Sequence, residues 1–314
     1  MPILFDERFR ILTADQPLTY LDAGARGGLQ GPWRVADDGR LRVVSFEPDA
    51  AGAGDLRPGE RHVVIAKGLW NRECEVDLHL AETMSTSSVH PPNWELLARF
   101  RRQHADPRRT VRKERIRCTT VDRVAAELGT GFDFMKIDTQ GAEYEILEGA
   151  KEQLQRDVFA VLCETWTQPV HAGQRLTHEV WALLEEMGFE VVQTSIAAAW
   201  QHRVVDAHAV SGRAHLVGLD LLAFRKPAQW QRMTPERALK WAAIAELYGY
   251  PDIALDLLAA AVAGSDRDAA ALDYFRKAIT SGGESSEPAQ QTLMARIRRI
   301  FRRPAGTKEV KLHY

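Results

Sequence analysis

Residues 134–150 read FMKIDTQGAEYEILEGA and combine a short apolar strand, a glycine turn and a helix. The apolar run ends at Asp138. The helix predicted over 142–154 opens with Glu143, where the positive end of the helix dipole favours an acid. A strand followed directly by a helix is the repeating unit of a parallel sheet. Because a carboxylate at the end of such a strand faces the crevice in which ligands bind, Asp138 is a candidate site residue.

The same alternation continues over the first two-thirds of the chain. Short runs of β-branched and apolar residues alternate with helical stretches, which is typical of a parallel sheet with helices on both faces. We therefore predict an α/β fold. The predicted strands are 18–22, 41–47, 62–66, 75–80, 132–138, 158–164, 190–193 and 219–224, and a further helix is predicted over 176–187.

A glycine loop follows the first predicted strand. Residues 22–28 read DAGARGG, and glycines there allow positive φ angles and a close approach of the backbone to a ligand. About 19 residues after Gly28, Glu47 ends the next strand, where an acid can accept hydrogen bonds from both hydroxyls of a ribose. This spacing indicates a cofactor that contains adenosine.

Two kinds of cofactor use this geometry, and Asp22 favours one of them. A dinucleotide would place its pyrophosphate over the loop, where the carboxylate of Asp22 would repel it. S-adenosylmethionine has no phosphate, and its sulfonium and ammonium groups are cations that a carboxylate attracts. The loop also departs from the dinucleotide pattern GxGxxG, because residue 26 is Arg and the loop ends in two glycines. The sequence favours S-adenosylmethionine, with an NAD-dependent oxidoreductase as the alternative.

Three segments together resemble the FkbM family of S-adenosylmethionine-dependent methyltransferases: residues 134–150, LDAGARGG at 21–28 and VVSFEPD at 43–49. The family pattern in the first segment is close to KxDxEGxExxxLxGA. This chain departs from it at Gln140, where Glu is usual. The resemblance covers roughly residues 15–226.

The resemblance implies a Rossmann-like class I methyltransferase fold with a seven-stranded, mostly parallel sheet. It also implies methyl transfer to an oxygen of a sugar, a glycan or a natural product. By the same resemblance, the residues that would bind the cofactor are Asp22, Gly24, Arg26, Gly28, Glu47, Pro48 and Asp138.

Methyl transfer to a hydroxyl needs a base that removes the hydroxyl proton. The candidates are Asp138, Glu164 and His171, and His215 is a rival base before the last predicted strand. Asp138 and Glu164 are expected to lie side by side if their strands pair in parallel. Such a pair could instead bind Mg²⁺. Two acids alone are a weak metal signal, so we predict no metal site.

Composition excludes several classes of protein. The 314 residues carry 41 basic and 43 acidic side chains, a net charge of −2, and 45% of the chain is hydrophobic, which is typical of a globular protein. No apolar run approaches the roughly 20 residues of a membrane span. Three cysteines without a CxxC pair argue against a disulfide framework or a structural zinc. We expect a cytoplasmic enzyme with no nucleic-acid partner.

The basic residues are concentrated in two segments. Residues 99–117 contain nine basic and two acidic side chains, and residues 292–314 contain seven and one. The first segment suggests a small-molecule or glycan acceptor that is anionic, although a solvated surface helix has the same composition. The second predicts a basic amphipathic helix for peripheral membrane contact or for contact with a partner, although a solvated C-terminus has the same composition.

The chain is predicted to contain three parts. Residues 1–226 form the FkbM-like domain, with a basic insertion at about 81–117 that has the composition of a loop or lid. Residues 227–280 form an α-helical appendage, and 281–314 form a flexible linker with the basic tail. The alternative to an enzyme is a non-catalytic binding protein on a methyltransferase fold, whose basic segments bind an anionic partner.

Overall fold

The computed structural model describes residues 17–29, 31–36, 40–56, 58–203, 213–230, 233–262 and 276–277. These residues belong to two compact units. The first consists of Tyr20–Gly28 and Val43–Lys226, and the second consists of the described residues within Met1–Thr19, Leu29–Arg42 and Pro227–Tyr314.

Ten strands are present in the described part of the chain. They are β1 (Leu18–Ala23), β2 (Leu41–Phe46), β3 (His62–Ile65), β4 (Gly68–Leu69), β5 (Cys74–Ala81), β6 (Thr110–Thr119), β7 (Phe134–Ile137), β8 (Ala160–Trp166), β9 (Phe189–Trp200) and β10 (His215–Arg225).

Seven of these strands form one sheet in the order β3-β2-β1-β7-β8-β10-β9. Parallel pairs join β1 to β7, β2 to β3 and β7 to β8, whereas β10 runs antiparallel to both β8 and β9. All residues of β1 and β7 are buried, because central strands of a parallel sheet are covered on both faces. The α/β prediction with a seven-stranded, mostly parallel sheet is confirmed.

A second sheet includes the last residues of the region where an irregular insertion was predicted. Its order is β4-β6-β5, and β6 runs through residues 110–119 as a ten-residue strand antiparallel to β5. The prediction of a loop or lid up to residue 117 is therefore wrong for residues 110–117, which belong to β6. On the outer face, Arg115 lies 3.0 Å from Asp77 and 3.7 Å from Glu75, and Arg117 lies 3.6 Å from Glu75. Exposed arginines alternate with buried residues over 115–118 because this part of the basic run is a strand. Acids of β5 compensate part of its charge.

Helices connect the strands. They are α1 (Ala50–Asp55), α2 (Trp94–Leu97), α3 (Arg102–Ala105), α4 (Val121–Leu128), α5 (Glu143–Glu148), α6 (Lys151–Arg156), α7 (Thr177–Glu186), α8 (Pro235–Leu247) and α9 (Pro251–Val262). The single helix predicted over 142–154 is two helices, α5 and α6. The break lies at Gly149, where an added Cβ would lie 2.1 Å from the carbonyl oxygen of Trp70. Only glycine allows this close approach of the two backbones.

The second unit contains the helical hairpin of α8 and α9. Thr234 caps α8 as predicted, since its side chain accepts a hydrogen bond from the backbone N–H of Arg237. In the same unit, the Trp33 indole N–H donates to the Tyr248 hydroxyl at 2.9 Å. No helix among the described residues is long and apolar enough to span a membrane. The predicted linker and basic tail (281–314) lie outside the described residues.

Candidate active site

The glycine loop after β1 contacts the neighbouring strand ends on both sides. The N–H of Gly24 donates to the carbonyl of Phe46 at 3.1 Å, which joins the loop to the end of β2. Gly24 has φ +78, and a Cβ added there would lie 2.0 Å from the backbone oxygen of Asp138. Gly28 also has a positive φ, +71, but a Cβ on it would meet nothing within 4 Å. Gly24 is therefore required by close packing at the carboxyl ends of β1 and β7.

A lysine lies between the two predicted carboxylates of this region. The Lys136 ammonium lies 3.2 Å from Asp22 Oδ1 and 3.6 Å from Asp138 Oδ2, and it donates to the Gly24 carbonyl at 3.0 Å. Burial raises the pKa of Asp22, and Lys136 opposes that shift. The pKa of Lys136 is itself raised, because the two carboxylates outweigh the effect of its burial. Two acids and one base leave the group with one net negative charge.

A second charged group lies at the end of β2. Glu47 is buried, and its carboxylate accepts a hydrogen bond from the Asp49 N–H at 3.1 Å. Asp49 caps α1 by accepting from the Gly52 N–H at 3.0 Å. Arg26 forms an ion pair with Asp49, and its Nε lies 3.9 Å from Glu47 Oε2. Pro48, between the two acids, is partly exposed. Arg26 thus compensates one of two acids where a ribose was predicted to bind.

The loop after β7 has an unusual backbone that a buried acid stabilises. Gln140 adopts φ +59, the left-handed region that non-glycine residues rarely occupy. The Glu143 carboxylate accepts hydrogen bonds from the Thr139 N–H, the Thr139 hydroxyl and the Gly141 N–H, each at 3.0 Å. Burial raises the pKa of Glu143 to about 7. Glu143 therefore fixes the shape of this loop in addition to standing at a helix start.

Asp138 and Glu164 lie side by side, as their strand positions predicted. The Gln140 amide donates to Glu164 Oε1 at 2.7 Å and to Asp138 Oδ1 at 3.3 Å. Glu164 lies within β8, directly opposite Asp220 of β10. Burial, together with the charges of Asp138, Glu143 and Asp220, raises the pKa of Glu164 to about 8. The structure therefore brings Asp138 and Glu164 together on one amide, with Asp220 opposite Glu164 on the next strand, at the end of the sheet where the glycine loop also lies.

His171 is buried instead of lying exposed in its loop. Its ring Nδ1 lies 3.2 Å from the side-chain oxygen of Gln174, and its ring meets that of Trp166 edge to face at 6.2 Å. Burial, together with the charge of nearby Arg108, lowers the pKa of His171 to about 3. The imidazole is thus neutral at physiological pH, and a neutral imidazole has one ring nitrogen able to accept a proton.

The rival base His215 lies at the exposed first position of β10. Its ring stacks on that of His202 at 4.3 Å and meets the ring of Phe100 edge to face. His215 therefore belongs to an aromatic cluster at the start of β10, well before the strand reaches Asp220.

Arg108 leaves the exposed basic run and packs on two indoles. Its guanidinium carbon lies 4.5 Å from the ring centroid of Trp200 and 5.4 Å from that of Trp166. One of its amino groups donates to the His104 carbonyl at 2.9 Å. Burial lowers the pKa of Arg108 to about 10, and Glu164 opposes that shift.

Sequence reasoning missed four contributors to the site. Lys136 lies in register with Asp22 across the β1–β7 pair, which only the strand pairing reveals. Asp220 was visible in the sequence as an acid inside an apolar strand. The only sequence signal for Gln140 was its departure from the family pattern, and for Arg108 it was its place in a basic run. Among the described residues, no group of three or more His, Cys, Asp or Glu is arranged to hold a metal ion.

The fold and the site define the class of protein. A seven-stranded, mostly parallel sheet with acids at the carboxyl ends of adjacent strands is a Rossmann-like α/β domain. The Methyltransferase FkbM domain profile matches residues 22–191, more than half of the chain, and the chain belongs to this family. The matched range contains every residue of the two charged groups and of the cluster around Gln140 except Asp220.

Solved structures of methyltransferases are similar to this chain at low identity. Methyltransferase FkbM from Methylobacillus flagellatus KT is 15% identical, with 65% of this chain and 43% of that chain covered and a TM-score of 0.34. Magnesium protoporphyrin IX methyltransferase (ChlM) from Synechocystis PCC 6803, solved with bound SAM, is 13% identical, with 69% and 75% covered and a TM-score of 0.34. Precorrin-6y C5,15-methyltransferase from Geobacter metallireducens GS-15 is 11% identical, with 70% and 89% covered and a TM-score of 0.33. The chain thus spans less than half the length of the FkbM structure. No protein of curated function matches the chain.

Proposed function

We propose that this protein is an S-adenosylmethionine-dependent methyltransferase that methylates a hydroxyl oxygen of a sugar, a glycan or a natural product. The observation that carries the proposal is the cluster of Asp138, Gln140 and Glu164, at the same end of the sheet as the glycine loop. A methyl acceptor must lose a proton, and this cluster places acids where a ligand of a parallel sheet binds.

The charges at the strand ends fit S-adenosylmethionine better than a dinucleotide. Asp22 and Asp138 with Lys136 leave one net negative charge, and Glu47 and Asp49 with Arg26 leave another. Two negative groups attract a cationic cofactor and repel a pyrophosphate. In this proposal Asp22, Gly24 and Gly28 line the methionine part, while Glu47 and Pro48 lie at the ribose. Arg26 acts by orienting the acids at the end of β2.

S-adenosylmethionine supplies a methyl group on a sulfonium, which is ready for attack by an oxygen. The protein must orient the acceptor and take up its proton. Glu164 is the first candidate for this role, because a pKa of about 8 places its proton uptake near physiological pH. Gln140 orients the Glu164 carboxylate through its 2.7 Å hydrogen bond. Asp138, on the other side of the same amide, is the second candidate. His171 is the weakest, because a pKa of about 3 means that its imidazole holds a proton poorly at neutral pH.

Calorimetry with S-adenosylmethionine, S-adenosylhomocysteine and NAD⁺ tests the proposal. We expect the first two to bind at submillimolar concentration and NAD⁺ not to bind. Binding of NAD⁺ alone would favour the oxidoreductase. Binding of none of the three would favour a non-catalytic binding protein on this fold.

The variant Glu47→Ala tests the predicted contact with the ribose. We expect it to weaken S-adenosylhomocysteine binding at least about tenfold, or about 1.4 kcal/mol, because charge-assisted hydrogen bonds to the ribose are lost. Glu60→Ala, at an exposed turn, is the control and should bind as the unchanged protein does. An equal affinity in both variants would remove Glu47 from the ribose site.

A further inference from the structure

The Arg108 guanidinium is a cation without a carboxylate partner among the described residues. Neighbouring arginines do have such partners: Arg109 lies 3.5 Å from Asp106, and Arg112 forms an ion pair with Glu114. Arg108 instead has indoles on its face, one hydrogen bond to a backbone carbonyl and a buried Nε with no hydrogen-bond partner in the described structure. Buried charges are normally paired, because desolvation of an unpaired charge is costly.

The acid that influences Arg108 is Glu164, and it compensates the cation poorly. The Glu164 carboxylate accepts a hydrogen bond from the Gln140 amide at 2.7 Å, and burial with three neighbouring acids raises its pKa, which disfavours its charged form. Arg108 therefore has a positive charge without a directly paired carboxylate inside the site. A bound anion would compensate this charge, which no carboxylate of the described residues pairs with directly.

A second donor lies beside Arg108. The indole N–H of Trp166 is buried and has no hydrogen-bond partner among the described residues. Trp166 is two residues after Glu164 on β8, so both side chains lie on the same face of the strand. Two residues of a strand span about 6.6 Å. An anion at Arg108 would thus lie about one sugar unit from a hydroxyl that faces Glu164.

We propose that Arg108, packed against Trp166 and Trp200, binds an oxyanion of the acceptor, a carboxylate or a phosphate, while the acceptor hydroxyl faces Glu164. This inference rests on the proposed methyltransferase function and narrows its substrate to hydroxylated acids or phosphates. Arg108 presents a planar fork of N–H donors that suits both anions, and the indoles fix the plane of that fork. In this proposal the anion of the acceptor binds at Arg108 and not at the exposed basic residues of β6.

Nuclear magnetic resonance of the arginine side chains tests this inference directly. In ¹⁵N-arginine-labelled protein, the Arg108 Nε–H signal is identified by its loss in Arg108→Lys. Inorganic phosphate and acetate are titrated separately at constant ionic strength, with chloride as the reference. We expect at least one of the two oxyanions to shift the Arg108 signal in a saturable way, and the two titrations distinguish phosphate from carboxylate. If neither anion shifts this signal, the inference is wrong.

Affinity measurements on variants supply the controls. By calorimetry with the same anion, Arg108→Gln should weaken binding at least about tenfold. Arg108→Lys keeps the charge but loses the fork of N–H donors, so its affinity should lie between those of Arg108→Gln and the unchanged protein. Arg109→Gln removes an adjacent, exposed arginine and should leave the affinity unchanged. Equal weakening by Arg108→Gln and Arg109→Gln would show general electrostatic attraction and overturn the inference. S-adenosylhomocysteine binding is measured on every variant. Its retention shows that the site is folded, and its absence in the unchanged protein would refute the proposed function whatever the anion result.

Discussion

Gln140→Glu is the sharpest test of the acid cluster, because it adds a carboxylate and changes almost nothing in shape. The Gln140 amide donates to Glu164 at 2.7 Å and to Asp138 at 3.3 Å, and a carboxylate can donate neither bond unless it is protonated. The variant therefore places a fourth acid among Asp138, Glu164 and Asp220. Since glutamate and glutamine have similar backbone preferences, the left-handed conformation at this position adds no new strain.

The size of the effect depends on pH. A buried acid whose folded pKa lies above its unfolded value costs stability as pH rises from the unfolded value to the folded one. For Glu164 this window runs from 4.5 to about 8. At pH 5.5 the introduced carboxyl group and Glu164 can share protons, so the loss is small. At pH 9 the short hydrogen bond to the Glu164 carboxylate is lost and replaced by repulsion, at a cost of about 2–3 kcal/mol.

Thermal unfolding at the two pH values measures this difference. For a domain of this size, about 2–3 kcal/mol lowers Tm by about 4–12 °C at pH 9, with a much smaller change expected at pH 5.5. Gln155→Glu makes the same chemical change on the exposed surface of α6 and serves as the control. If Gln140→Glu lowered Tm equally at both pH values, the acids would not be coupled through Gln140 and our interpretation of the cluster would be wrong.

Two further predictions concern the same end of the sheet. Gly24→Ala should destabilise the protein by about 3 kcal/mol or prevent folding, because its Cβ would overlap the Asp138 carbonyl. Gly28→Ala should cost only about 1–2 kcal/mol, which is the cost of a positive φ at a non-glycine residue. Chemical denaturation compares the two variants, and equal losses of stability would contradict the close packing at Gly24. Glu164→Gln should raise Tm at pH 9 but not at pH 5, because it removes a buried acid that loses its proton near pH 8. It should also reduce methyl transfer to any acceptor found. An unchanged Tm at both pH values would mean that the Glu164 carboxyl is not desolvated.

The main sheet was predictable from the sequence because its central strands are buried on both faces. Runs such as FMKI in β7 then stand out as continuous apolar segments of strand length. In β6, by contrast, charged side chains point outward and only Ile116, Cys118 and Thr119 are buried. The partner that explains those charges, β5, lies about 35 residues earlier in the chain. A local pattern cannot show that Arg115 will stand opposite Asp77.

The acids of the site followed from strand ends, but their electrostatic environment did not. Asp22 was identified at the start of the glycine loop and Asp138 at the end of an apolar run, and a parallel sheet brings such strand ends together. Whether each acid is free or compensated depends on Lys136, which reaches both only after β1 and β7 have paired in their particular register. For the same reason, the high pKa of Glu164 is a property of several chain segments together and of no single one.

The basic run shows why counting charges cannot locate a binding site. Nine basic residues between 99 and 117 suggested one anionic partner for the whole segment. Arg115 and Arg117 are exposed and face acids across the strand pair, and exposed ion pairs of this kind contribute little to binding or stability. Arg108 carries the same charge in a desolvated position, where an oxyanion would gain more from it. Affinity for an anionic acceptor should therefore depend on this single side chain, and the many arginines around it should affect mainly the rate of encounter and its salt dependence.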